Sequence, residues 1–252
     1  LEKIEFNSIE EAIRDIREGK LVIVLDDLKR ENEGDLIGAA SNANPDMINF
    51  MLNEARGAFI AVFLEEERAG LLRLPVQEKG ENSEINKTQM LVSVDSVKSG
   101  SGSSAIDRAL TVRILANINT VSGDLRRPGH IIPIKSDKGG ILKRQGHTEA
   151  GVELMKLAGI YPPVAVDLEI LNGDGCMASE KELHQIADEF GLSIITIKQI
   201  KDYIEYKNQP LKNEIRKVIQ DAFYMSSDAL FKDGELIEEC VDMVLAWHNH
   251  RK

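Results

Sequence analysis

The sequence has 252 residues, 42% hydrophobic and 29% charged, enough for one sizeable core or two small ones. Its formal net charge of -11 leaves no basic excess to displace counterions from a nucleic-acid backbone, so no nucleic-acid partner is expected. The longest uncharged apolar run, Gly57 to Leu64, is far too short to span a bilayer, and Cys176 and Cys240 make no disulfide framework, so a cytoplasmic protein with reduced thiols is expected.

Ser8 and Glu11 form a capping-box pattern, Ile9, Ile13 and Ile16 follow at helical spacing, and Gly19 ends that helix. Leu21 to Leu25 reads as a buried strand. A polar, acidic turn runs from Asp26 to Asp35, and apolar character returns over Leu36 to Ala40. Pro45 to Ala55 reads as a helix, Ala58 to Leu64 as a strand, residues 76 to 90 as a polar loop and Met90 to Asp95 as another strand. Helices are predicted over Ile106 to Asn117, Thr148 to Leu157 and Glu180 to Phe190, and strands over Ala165 to Leu171 and Ser193 to Ile197. The one seam is near Lys207-Asn208-Gln209-Pro210. Two helical patterns follow it: Leu211, Ile215, Val218, Ile219 and Phe223, then Leu236, Ile237, Cys240, Val244 and Trp247. Interleaved strands and helices predict an α/β or α+β domain.

Within Arg30-Glu31-Asn32-Glu33-Gly34-Asp35, three carboxylates alternate, so an extended backbone points all three the same way. Crowded carboxylates need a cation or a shared proton, and a hard divalent ion is the natural solution. A solvated acidic turn is the plainer reading of that string taken alone. Of five histidines, His248 and His250 sit in a polar tail, and His184 lies in an ordinary amphipathic helix, where packing is the expected role. His130 follows Arg127-Pro128-Gly129, residues that fix the backbone before the imidazole. His147 sits at a helix start after Lys143-Arg144-Gln145-Gly146, where free N–H groups and nearby positive charge suit a phosphate. One carboxylate, Glu31, with one histidine, His147, would leave a metal open positions for water and substrate. Gly100-Ser101-Gly102-Ser103-Ser104-Ala105 matches G-x-G-x-x-A, with Asp124 about twenty residues on, but the order of elements is wrong for a dinucleotide fold. A serine-glycine turn, or a cradle for phosphate or sugar hydroxyls using Ser101 and Ser104, remains.

Over about residues 4 to 206 the chain resembles the 3,4-dihydroxy-2-butanone-4-phosphate synthase family. The resemblance rests on Arg30-Glu-Asn-Glu-Gly-Asp-Leu-Ile37, Phe50-Met51, Ala55-Arg-Gly57, Val92-Ser-Val-Asp95, Asp107-Arg-Ala109, Arg127-Pro-Gly-His130, Gly146-His-Thr-Glu-Ala150 and Glu169-Ile-Leu-Asn172, in that order. It implies a single mixed-sheet α+β domain over residues 1–206, with 207–252 as a helical C-terminal extension. It implies a homodimer with active sites near the interface, and conversion of ribulose 5-phosphate to 3,4-dihydroxy-2-butanone 4-phosphate and formate with Mg2+ or Mn2+. Glu31 and His147 would hold the metal. Glu33, Asp35 and Glu169 would position hydroxyls or move protons, and His130 would be an acid or base. Arg144, Gly146 and Thr148 would hold the phosphate, and Arg30 would contact substrate. The chain departs from the family pattern at Leu28 and Lys29, where acids are usual, near Ile60, over Ser101 to Ala105, at Ile106 and at Ser179. Those departures keep two alternatives open: a different product from a pentulose phosphate, or a non-catalytic sugar-phosphate-binding regulator.

Overall fold

The computed structural model describes residues 5–27, 30–224 and 234–249. Helix α1 (Ile9–Arg17) starts at Ser8, whose hydroxyl accepts the Glu11 N–H while the Glu11 carboxylate accepts the Ser8 N–H. Gly19, at φ +81°, turns the chain into β1 (Val22–Leu25). Then come β2 (Gly34–Ala39), α2 (Pro45–Phe50, continued as a π-helical turn over Met51–Ala55), β3 (Ala61–Leu64) and α3 (Glu66–Leu71). Strands β4 (Gln89–Met90) and β5 (Val94–Ser96) precede α4 (Ala105–Leu115) and β6 (Leu125–Lys135). The short α5 (Gly140–Lys143), α6 (His147–Leu157), β7 (Ala165–Glu169), α7 (Glu180–Phe190) and β8 (Ser193–Thr196) follow. The long α8 (Ile197–Tyr224) and α9 (Gly234–Asn249) end the chain.

Among the described residues the strands form one mixed sheet in the order β4-β6-β3-β7-β2-β1-β8, with β5 also on β6. The pairs β1–β8 and β3–β6 are parallel, and the others are antiparallel. With interleaved helices this is an α+β fold. Alternation along the strands gives the sheet two unlike faces. Ile23, Leu36, Val62, Val166 and Leu168 point into the main core, shared with Ile48 of α2 and Val112 of α4. The opposite face carries Asp35, Ala61, Phe63 and Asp167, and α6 packs against β2, β3 and β7 there. Gly151 of α6 lets that packing close, because a β-carbon there would lie 2.7 Å from the Phe63 ring.

Several elements differ from the sequence expectation. The stretch from Met90 to Asp95 is split between β4 and β5, which both pair with β6. Strand β6, unforeseen, contains Pro128 and Pro133, residues normally absent from inner strands. It survives because Pro133 still uses its carbonyl, which accepts the Leu91 N–H at 2.9 Å. Gly129 is required where β5 crosses β6, since a β-carbon would collide with the Val94–Asp95 backbone.

The chain divides into one compact unit through Ile200 and another from Lys201. Helix α8 runs through Pro210 instead of breaking at the anticipated seam. Ile204, Asn208, Leu211 and Ile215 are half-buried and keep one helical stripe across the proline. Among the described side chains of α9 the buried ones are Val241 and Leu245, while Val244, anticipated on the inward stripe, is 42% exposed. Arg216 pairs with Glu238 and Lys212 with Asp242. The side chains of Leu236 and Trp247 lie outside the described residues.

Arg68 of α3 is buried and closes the end of α4. Its Nε donates to the Leu115 carbonyl at 2.9 Å and its Nη2 to that of Asn117 at 2.6 Å. A helix C-terminus leaves carbonyls without intrahelical partners, and a cation there also meets the helix dipole favourably. Replacing Arg68 with Met keeps the stem and removes the donors. The expected loss is about 1.5–3 kcal/mol in urea-induced unfolding; an unchanged midpoint would show that water replaces the guanidinium without cost.

Candidate active site

One cavity of about 230 Å³ opens on the α6 face of the sheet. Its floor follows from strand register. Asp35 lies opposite Glu169, Ile37 opposite Asp167, and Asp167 opposite Ala61, so these side chains share a face. The start of α6 supplies His147 and Thr148. The acidic turn supplies Arg30, Glu31 and Glu33, and the segment before β4 supplies Glu84, Asn86 and Thr88.

His147 is buried. Its Nε2 lies 3.1 Å from the Val24 carbonyl, so that nitrogen carries the hydrogen and donates. Burial lowers the pKa of the ring and favours the neutral form, which leaves a lone pair on Nδ1. A histidine fixed this way through one nitrogen is oriented for a metal through the other. Ligand atoms of Asp26, Glu31 and His147 lie within 4.8 Å of one another. Two carboxylate oxygens and an imidazole nitrogen suit a hard divalent cation. A positive group already meets the two acids: Arg30 Nη1 contacts both Asp26 and Glu31, and Asn86 donates to Glu31. The donor set therefore fits a cation, and the protein's own guanidinium fills part of that demand.

The other acids are crowded. Glu33 is pushed up to about 7, first by burial and then by the charges of Glu169, Glu31 and Asp35. Asp35 is also raised to about 7, chiefly by burial, and its Oδ2 lies 3.3 Å from His147 Nδ1. Glu169 is raised by burial and by Asp35, and Glu31 by burial.

A positive corner closes the cavity. Arg144 donates to buried Glu149 at 2.6 Å, and its Nη2 reaches the Asn86 carbonyl at 3.2 Å and Thr88 Oγ1 at 3.3 Å. Glu149 is itself anchored by the Asp137 N–H at 2.9 Å. Gly146 begins α6 with no side-chain cap, leaving first-turn N–H groups beside Arg144 and Thr148.

Thus Arg30, Glu31, Glu33, Asp35, Arg144, His147, Thr148 and Glu169 line one cavity, with Gly146 adjoining it in sequence. His130, Ser101 and Ser104 are not among its lining residues. His130 Nδ1 instead pairs with Asp95 Oδ2 at 2.8 Å, and Asp95 Oδ1 accepts the His130 N–H at 2.9 Å. Ser104 caps α4 by accepting the Asp107 N–H, and Ser101 contacts Ser103. The serine-glycine string wraps this Asp95–His130 pair: Gly102 has φ +94°, and a β-carbon there would strike both side chains. His184 packs edge-on against Phe6, with Nδ1 donating to the Glu180 carbonyl. The expectation of altered chemistry at Leu28 and Lys29 falls outside the described residues. Sequence reasoning missed Asp26, Asp167, Glu84, Asn86 and Thr88 as site residues. Asp26 carried a local signal, being in the acidic turn; the others depend on tertiary placement.

Fold and cavity together define an α+β domain with an acidic, cation-competent site beside a positive corner. The 3,4-dihydroxy-2-butanone 4-phosphate synthase family model matches residues 10–203, and the chain belongs to that family. It is 45% identical over 205 residues to riboflavin biosynthesis protein RibBA of Porphyromonas gingivalis, covering 81% of this chain and 50% of that one. It is also 45% identical over 210 residues to RibBA of Aquifex aeolicus, covering 82% and 50%. The chain thus spans about half the length of these curated relatives. A solved 3,4-dihydroxy-2-butanone 4-phosphate synthase in complex with two magnesium ions superposes with TM-score 0.75 at 37% identity, over 80% of this chain and 98% of that one. The Candida albicans synthase gives 0.73 at 39%, over 80% and 99%.

The raised carboxyls fix the sign of a pH effect in metal-free protein. Between about pH 4.5 and 7, Glu33 and Asp35 keep protons when folded that they release when unfolded. Their contribution is therefore greatest at the acidic end and is lost as pH rises through the folded values. In chelator, the melting temperature should fall from about pH 5 to 8, with a shallower slope in Glu33→Gln. A flat or rising profile would contradict the raised values.

Proposed function

We propose that this chain converts ribulose 5-phosphate to 3,4-dihydroxy-2-butanone 4-phosphate and formate in riboflavin biosynthesis, with Mg2+ or Mn2+. The observation that carries this reading is one cavity lined by Glu31 and His147, which have Asp26 within ligand distance, by acids such as Glu33 that titrate near neutrality, and by Arg144. The likeness to the magnesium complex supports the metal. Asp26, Glu31 and His147 would hold it, and a divalent cation supplies Lewis-acid polarisation of a ketone. Glu33, titrating near neutrality, is suited to take a proton from the sugar and return it. Asp35 and Glu169 position hydroxyls or relay protons. Arg144, Thr148 and the first-turn N–H groups after Gly146 neutralise the phosphate. Arg30 exchanges its carboxylate partners for contact with substrate.

His130 enters this reading through a cytoplasmic homodimer with sites near the interface, carrying the Ser101 and Ser104 loop with it. The Asp95–His130 pair is suited to such a role, since the His130 side chain is 40% exposed while Asp95 holds its orientation. Residues 1–206 form the catalytic part in this reading, and 207–252 an extension to it. Among the described residues no helix is long and apolar enough to cross a membrane.

Incubation with ribulose 5-phosphate and Mg2+ should release formate, and chelation should stop it. His147→Ala and Glu31→Gln should each lower turnover on the order of a hundredfold or more. Absence of formate from the wild-type protein, or full activity of His147→Ala, would overturn the assignment.

A further inference from the structure

Asp167 occupies a central position of β7, between β2 and β3, with Ile37 opposite on one side and Ala61 on the other. Such a position, covered by α6, is where an apolar residue is expected. Asp167 is instead an acid only 4% exposed, in side-chain contact with a second buried acid, Asp35. The Oδ1 atoms of Asp35 and Asp167 are both buried, with no hydrogen-bond partner among the described residues. Buried polar atoms are almost always bonded, so an unbonded acid on a cavity wall demands an explanation. One proton shared with Asp35 would satisfy one oxygen of each acid, and burial together with the Asp35 charge favours its retention on Asp167. The remaining oxygen of Asp167 still has no protein partner. Asp167 lines the cavity, and Ala61 opposite contributes only a methyl group, so the floor there stays uncovered.

We propose that Asp167 anchors the substrate, its carboxyl hydrogen-bonding a hydroxyl of the sugar chain from the cavity floor. The chemistry of the surroundings selects that partner. A phosphate would be repelled by Asp35 and Glu169 and goes to Arg144, whereas a hydroxyl both donates and accepts and so fits a pair of acids sharing a proton. The inference rests on the sugar-phosphate reading above. It adds a contact that selects for the polyol part of the ligand. It also explains why an unstable arrangement is kept: an apolar side chain would suit the isolated fold better, and the acid is satisfied only when ligand is bound.

The test compares wild type, Asp167→Val and Asp167→Asn, each with Mg2+. Formate release from ribulose 5-phosphate gives KM and kcat, titration gives the affinity for inorganic phosphate, and thermal melting reports folding. Asp167→Val should melt no lower than wild type and should raise KM about tenfold or more. Its affinity for inorganic phosphate should stay within about twofold of wild type, since Arg144 is untouched. Asp167→Asn keeps the shape and a hydrogen-bonding oxygen, and should return KM to within about threefold of wild type. Wild-type KM in Asp167→Val would overturn the anchor and leave the synthase reading intact. Equal losses for sugar phosphate and inorganic phosphate would also overturn it, as a general distortion of the site. A wild-type protein that neither binds nor turns over ribulose 5-phosphate would overturn both.

Discussion

Asp35, Asp167 and Glu169 project from adjacent strands, with Glu33 just before the first of them, into one cavity, and their mutual repulsion is the constraint to which the surrounding structure answers. Two responses coexist. Some of the acids keep protons they would otherwise lose, as the values near 7 for Glu33 and Asp35 indicate. Others are met by cations from the chain: Arg30 at Asp26 and Glu31, Arg144 at Glu149. The sheet makes this arrangement tolerable. Its opposite face is continuously apolar and carries the packing energy, so the acidic face is free to serve chemistry.

That division explains the use of arginine. In a chain with an excess of acids, several arginines serve backbone carbonyls instead of carboxylates. Arg68 closes α4, Arg113 reaches the Ala43 carbonyl, and Arg127 reaches those of Leu72, Ser122 and Leu125. The planar fork with five donors suits this multiple bonding, which a lysine ammonium would not reproduce. These contacts tie loops and helix ends to the sheet that holds the site.

Much of the candidate site was legible because its signals are local. Three alternating acids in a short turn, and a glycine and histidine opening a helix beside an arginine, each announce their geometry within a few residues. Helices α1 and α7 were legible for the same reason: Ser8 with Glu11 marks one start, and Gly191 at φ +63° marks the other end. The rest required the third dimension. Two prolines disguised β6, and the short acidic α3 carried no strong period. Asp167 fell inside the strand expected over Ala165 to Leu171, and only register sets it beside Asp35 and opposite Ala61. Glu84, Asn86 and Thr88 lay in a stretch whose polarity suggested only a loop; they matter because that loop folds back to Glu31 and Arg144. His130 shows the opposite limit, since its motif was plain in sequence while its position is outside the cavity of its own chain.

The guanidinium of Arg30 between Asp26 and Glu31 has a consequence for how the domain is assembled. Two carboxylates already held together by an internal cation need no external ion to stay in register. Completion of the fold would thereby be uncoupled from any loading of the site, unlike small domains that fold only around their metal. A divalent ion taken up as proposed would trade places with a competitor tethered one residue from Glu31, whose local concentration never falls. Occupancy would then be an exchange, set by the ratio of two affinities and graded with the supply of free ions.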